Sequence, residues 1–114
     1  MKIQDVPFCT VDWNSVDWDS IKATTHPGIT GEAYWHTFEM GNIRVRMVEY
    51  TPGYLADHWC KRGHVLLVME GELVTELEDG RKFILTQGMS YQVAEDINPH
   101  RSYTEKGAKL FIVD

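Results

Sequence analysis

The chain has 114 residues, 43% hydrophobic and 25% charged, the proportions of one globular domain rather than a disordered or multidomain chain. Its net charge is −6 and its 11 Lys and Arg residues are scattered, so it lacks the basic stripe expected of a nucleic-acid binder. No run approaches the ~20 apolar residues of a membrane span, and two cysteines, Cys9 and Cys60, do not make a disulfide framework.

The segment Met1 to Pro7 carries no apolar core of a leader, which makes a reducing cytoplasm the expected location. Val11-Asp12-Trp13-Asn14-Ser15 is followed by the near-copy Val16-Asp17-Trp18-Asp19-Ser20. This spacing puts Trp13 and Trp18 on opposite faces of a strand, or ~140° apart on a helix. The expectation is a strap in which each Trp plugs a different gap; the alternative is a subunit-contact arm. His26, before Pro27-Gly28, reads as a loop residue. Residues 1–30 are expected to form an arm and first strands, and residues 31–114 a barrel.

Beyond the arm the helical period fails nearly everywhere and the strand period fits repeatedly. Ala33 to Glu39 is an aromatic-rich strand, with His36 expected as a hydrogen-bonded core residue, and Met40-Gly41-Asn42 turns. Ile43 to Tyr50 alternates in part. Ile43, Val45 and Met47 form the more obvious core face, which would leave Arg44, Arg46 and Tyr50 as surface residues; if their face instead lines the barrel, they can grip an anion. Val65 to Met69 is a continuous apolar run, expected to be buried on both faces and to end in a tight turn at Glu70-Gly71. Leu73 to Glu78 alternates, and Asp79-Gly80 predicts a type I′ hairpin returning through Lys82 to Leu85. Gln87-Gly88 turns, Tyr91 to Val93 is a strand, and Ala108 to Val113 is the last one. The count is roughly nine to eleven short strands, an all-β barrel or jelly roll.

The chemistry concentrates in Asp57-His58-Trp59-Cys60-Lys61-Arg62-Gly63-His64 and, later, His100. On a strand, His58 and Cys60 would project to the same side. Imidazoles and a thiol converging inside a sheet are transition-metal donors. Asp57 has the opposite parity to His58 and reads as a solvated rim carboxylate, or as an acceptor that orients an imidazole if a bulge turns it inward. Tyr91 and Arg101 lie near His100 and can reach the pocket mouth. Cys9 has no ligand-type neighbours.

These spacings resemble the two motifs of the cupins. The first, G-x5-H-x-H-x3-E-x6-G, is matched by Gly53, His58, Cys60, His64 and Gly71, with a spacer one residue short, Cys60 in place of the second His and His64 in place of the Glu. The second, G-x5-P-x-G-x2-H-x3-N, is matched by Gly88 and His100 with one extra residue; Ala94 and Asp96 replace the Pro and Gly, and Thr104 stands at the Asn position. The Asp57-His58-Trp59-Cys60 string resembles a small bacterial subgroup named for its Asp, His, Cys and Trp.

The resemblance implies a small single-domain jelly-roll barrel holding one divalent metal through His58, Cys60, His64 and His100. Zinc suits that set best; Fe, Ni or Mn are the other candidates. Four bound residues would close the site and make it structural; three imidazoles alone would leave room for a ligand, with Cys60 a reactive thiol beside the metal. The implied function is action on, or recognition of, a small polar or anionic metabolite, dioxygenase- or isomerase-like, with a substrate pocket including Arg44, Arg46, Tyr50, Tyr91 and Arg101. The alternatives are a non-enzymatic sensor or ligand-binding barrel and an assembly scaffold. Cupins of this size commonly pair as homodimers, and an open sheet edge supplies a reason.

Overall fold

The computed structural model describes residues 12–114, so the expectation for Cys9 lies outside the described residues. A 3-10 turn over Trp18–Ser20 precedes eight strands: β1 (Thr24–Pro27), β2 (Glu32–Met40), β3 (Ile43–Tyr50), β4 (His64–Leu77), β5 (Lys82–Thr86), β6 (Ser90–Val93), β7 (His100–Tyr103) and β8 (Ala108–Val113). All pairings between these strands are antiparallel, in the order β1-β2-β3-β8-β4-β5, with β6 and β7 also bonded to β4. No described helix is long and apolar enough to cross a membrane.

β4 organises the barrel. Its first half pairs with β6 and β8, its second with β5 and β7. The expected break at Glu70-Gly71 is not a turn: the strand runs on through fourteen residues with a register shift between Val68 and Glu70. One extra residue reverses which side chains face inward. Before the shift His64, Leu66 and Val68 are buried; after it Leu73 and Thr75 are. Val65 and Met69 are exposed, so the apolar run is buried on one face rather than two. Gly71 follows the bulge at φ 84°, where a Cβ would stand 2.3 Å from the Gly107 carbonyl oxygen, so only glycine fits.

Val48, Leu66, Val68, Leu73, Leu85, Ala108, Leu110 and Ile112 form the core between the sheets. Register fixes its centre, with Val48 and Val68 both paired to Leu110. β3 therefore turns its Arg44–Arg46–Val48–Tyr50 face inward, which corrects the expectation that Val45 and Met47 would face the core; Ile43, at the strand's start, is buried at 3% exposure as expected. On the other face of β3 and β8, Met47 pairs with Phe111, against which Trp18 packs edge-on with centroids 6.4 Å apart. Trp18 behaves as the expected plug, whereas Trp13 is 89% exposed and plugs nothing among the described residues.

Turn chemistry also differs from expectation in one place. The β4–β5 hairpin is present, but Asp79 keeps a negative φ and only Gly80 is left-handed, at φ 99°. Gly80 N–H bonds to the Leu77 carbonyl and Leu77 N–H to the Arg81 carbonyl, which makes a three-residue loop closed by a glycine bulge instead of a type I′ turn. His26 lies in β1, not in a loop, stacked on Trp35 at 3.7 Å. His36 is partly buried and hydrogen-bonded to the Ile21 carbonyl, as expected.

Candidate metal centre

The residues between Leu55 and His64 form no strand apart from a single bridge at Cys60, so the alternation that placed His58 beside Cys60 does not operate there. Cys60 is fixed instead by two backbone bonds, its N–H to the His100 carbonyl (2.7 Å) and the His100 N–H to its own carbonyl (2.9 Å). His100 opens β7 and His64 opens β4, and both rings point into the barrel. The donor atoms of Cys60, His64 and His100 all lie within 4.8 Å of one another.

His58 is not part of this group. Its side chain is 76% exposed at the rim of the cavity described below, with Nδ1 bonded to Asp57 Oδ1 at 2.6 Å. Asp57 is an exposed carboxylate at the rim, as expected; its bond to the neighbouring His58 holds its carboxyl below the usual value.

Two features of the trio suit a cation. His100 Nδ1 faces the Asn98 carbonyl at 2.8 Å, and a carbonyl only accepts, so Nδ1 carries the proton and Nε2 presents a lone pair. That lone pair faces His64 Nε2 at 3.1 Å. Two ligand nitrogens on one tetrahedral ion with bonds of ~2.05 Å lie about 3.3 Å apart. Meanwhile His64 Nδ1 is buried without a hydrogen-bond partner, 3.9 Å from Asp114 Oδ2. A proton on Nδ1 would face that carboxylate and leave His64 Nε2 to accept from the Tyr91 hydroxyl at 2.8 Å, beside the His100 Nε2 lone pair that a metal could share with it.

The thiol points the same way. Burial raises the Cys60 pKa, but the bond to His100, the Arg62 backbone N–H and the charge on His100 outweigh it, and the pKa falls below its ordinary value. Burial lowers His100, but Cys60 and the Asn98 carbonyl raise it overall. The lowered thiol pKa eases ionisation of Cys60, and the thiolate is the form in which cysteine binds metal.

The centre opens on a cavity of about 530 Å³. Arg44, Arg46, Tyr50, Tyr91 and Arg101 all line it, so the structure gathers the expected pocket residues in one place. Arg46 is 5% exposed; its guanidinium lies over the Trp35 ring at 4.3 Å and its Nη2 donates to Asp114 Oδ2 at 2.8 Å. Arg44 adds two bonds to the same carboxylate. Burial opposes the charge on Asp114, but the facing His64 imidazole and both arginines hold its carboxyl far below the usual range. Arg101 lies over Trp59 at 4.6 Å and donates to Glu76 at 2.6 Å. Tyr50 stacks on Tyr54 at 4.2 Å, and burial pushes its phenol well above the ordinary value. Tyr91 Oη meets His64 Nε2 at 2.8 Å.

Sequence reasoning missed Asp114, Trp35, Lys61 and Arg62, all of which line the cavity. Asp114 had a signal: Ala108, Leu110 and Ile112 face inward at every second position, and Asp114 continues the series. Lys61 and Arg62 lie in irregular chain and had none.

No protein-family model matches the chain, and no curated protein matches it in sequence. Solved structures do match in shape. Ectoine synthase from P. lautus superposes with a TM-score of 0.72 at 14% identity, over 89% of this chain and 76% of that one. The EutQ protein of Clostridium difficile gives 0.70 at 14% identity, over 87% and 83%. A sugar phosphate isomerase of the cupin superfamily from Silicibacter pomeroyi gives 0.67 at 20% identity, over 88% and 74%. Together with the antiparallel barrel built around β4, these likenesses establish that the chain has the cupin fold.

Proposed function

We propose that the protein binds one divalent transition metal through Cys60, His64 and His100 and uses it on a small anionic metabolite held in the adjoining cavity. The observation that carries this reading is the charge of the cavity beside the donors. Among the described residues, five Lys and Arg side chains line it (Arg44, Arg46, Lys61, Arg62 and Arg101), against one acid, Asp114. A molecule of net charge −6 has thus gathered cations around one concave surface.

The ligand group follows from Arg46. Its Nε is buried without a hydrogen-bond partner, and such donors are normally satisfied. A carboxylate or phosphate oxygen entering the cavity would supply the acceptor. Trp35 and Asp114 hold the guanidinium plane in advance, so little entropy is lost on binding.

Cys60, His64 and His100 would hold the metal, with zinc the best match to a thiolate and two imidazoles, and Fe, Ni or Mn the other candidates. A bound ion would act as a Lewis acid on a carbonyl or carboxylate oxygen of the ligand. Three protein donors leave a position free for that oxygen, which favours a catalytic over a structural role. The Asn98 carbonyl orients His100, Asp114 stands 3.9 Å from His64 Nδ1, and the arginines position the anion. Isomerase-like chemistry, the movement of a proton beside a polarised carbonyl, asks least of this set.

Elemental mass spectrometry on reconstituted, untagged protein tests the reading. About one metal per chain is expected in the wild type and in His58→Ala, with loss in His64→Ala and weakened retention in Cys60→Ala. Loss in His58→Ala would restore a closed four-ligand site. No metal in any form would overturn the proposal.

A further inference from the structure

The barrel holds a second cavity, and its lining is of a different kind. It has a volume of about 240 Å³, is open to solvent on one side, and touches the same His100 and Tyr91 as the cationic cavity. His64, Tyr91 and His100 pack edge to face, with centroid separations of 4.8 to 5.9 Å, so a cluster of three rings stands between the two chambers.

Strand parity shows that part of the second cavity's wall is the inner face of the barrel. Phe83 pairs with Thr75 and Leu85 with Leu73. Leu73 and Thr75 are buried, so Phe83 and Leu85 share the inward side. Leu85 is 4% exposed, yet Phe83 is 49% exposed. An inward-facing phenylalanine left half bare lacks a packing partner, and the cavity is the space where that partner would be.

The lining makes no demand for charge. Leu77, Phe83, Leu85 and Val93 supply apolar walls. Thr75 Oγ1 is bonded to Ser102 Oγ at 2.7 Å, and the Asn98 carbonyl faces His100 Nδ1. Arg81, the one Lys, Arg, Asp or Glu on the lining among the described residues, is paired with Asp79 at 2.8 Å. An apolar cavity of about 150 Å³ already admits a benzene-sized molecule.

The geometry points to a second binding site, in which a compact hydrocarbon group of up to benzene size or slightly larger packs against Leu85, Phe83 and Val93 on the side of His100 away from the arginines. The hydrocarbon is either the apolar end of the anionic ligand, reaching past the rings, or a separate small molecule. The site does not depend on the metal, so it stands or falls separately from the proposed function.

Methyl and indole NMR on metal-free protein tests it, with benzene, acetate and 3-phenylpropanoate as probes. Benzene is expected to shift the methyl signals of Leu85 and Val93 and to leave the Trp35 and Trp59 indole N–H signals in place. Val93→Phe, which fills the chamber, should weaken benzene binding at least about tenfold; Phe83→Trp does the same at a half-exposed position that tolerates the larger ring. If 3-phenylpropanoate binds more than about tenfold tighter than either simple probe and moves both sets of signals, the hydrocarbon belongs to the anionic ligand. If benzene and acetate bind independently and 3-phenylpropanoate gains nothing, the site takes a separate molecule. No shift at Leu85 and Val93, or shifts unchanged in both filled variants, would overturn the inference.

Discussion

Asp114→Asn tests how the cationic wall is held together. Asp114 is 2% exposed and accepts from Arg46 at 2.8 Å and from Arg44 at 3.0 Å, while Arg46 is itself 5% exposed. Removing one partner of a buried pair costs about 3–5 kcal/mol, because the other charge stays desolvated without its counter-charge. An asparagine can still accept one hydrogen bond, and Arg44 is partly solvated, so the lower end, about 3 kcal/mol, is expected. For a domain of this length that lowers Tm by about 12 °C. Circular-dichroism melts of metal-stripped protein at pH 7 would measure it without any contribution from metal affinity.

The control is Arg46→Met, alone and combined with Asp114→Asn. The double variant carries neither the buried guanidinium nor the carboxylate, so it should be at least as stable as Asp114→Asn alone, which makes the coupling at least as large as the loss from Arg46→Met alone. The acid limb gives a second reading. The folded carboxyl of Asp114 lies below its unfolded value, so its contribution is complete above about pH 5 and is lost as the pH falls below about 4. The gap between wild type and Asp114→Asn should therefore narrow on acidification. Single losses that simply add in the double variant, or a gap independent of pH, would refute the reasoning.

Gly71→Ala should destabilise by about 2–4 kcal/mol, seen as a lower urea midpoint, since the new Cβ is both left-handed and pressed against the Gly107 carbonyl. Thr104→Val should cost about 1–3 kcal/mol in the same assay. The Thr104 hydroxyl, in a residue only 2% exposed, donates to the Glu72 carbonyl at 2.7 Å and accepts from Gly107 N–H at 3.2 Å, and valine leaves both backbone groups bare.

The strands were legible where hydrophobic alternation and a turn agreed: β3 and β8 begin and end where the sequence placed them. What misled was composition without phase. In β3 the three apolar residues looked like the core face, but register with β8 turns Arg46 and Val48 inward and leaves Met47 beneath the N-terminal strap. In β4 the bulge changes the phase within one strand, and no residue type announces a bulge. His64 and His100 were found through motif spacing, because their strands are regular. His58 stands apart because irregular chain follows no period. Asp96 shows a departure from the motif that is chemical rather than conformational: it stands where the cupin pattern has glycine and keeps a left-handed backbone, φ 59°. Aspartate tolerates that conformation better than most residues.

Fourteen residues of straight strand would reach about 43 Å, beyond the 39 Å long axis of the described residues. β4 instead curls on itself: its last residue, Leu77, pairs with His100, whose ring touches that of His64, its first. The two imidazoles therefore sit across the gap of a hoop made from a single strand. An ion held between them would tie the first residue of β4 to the strand that pairs with its last.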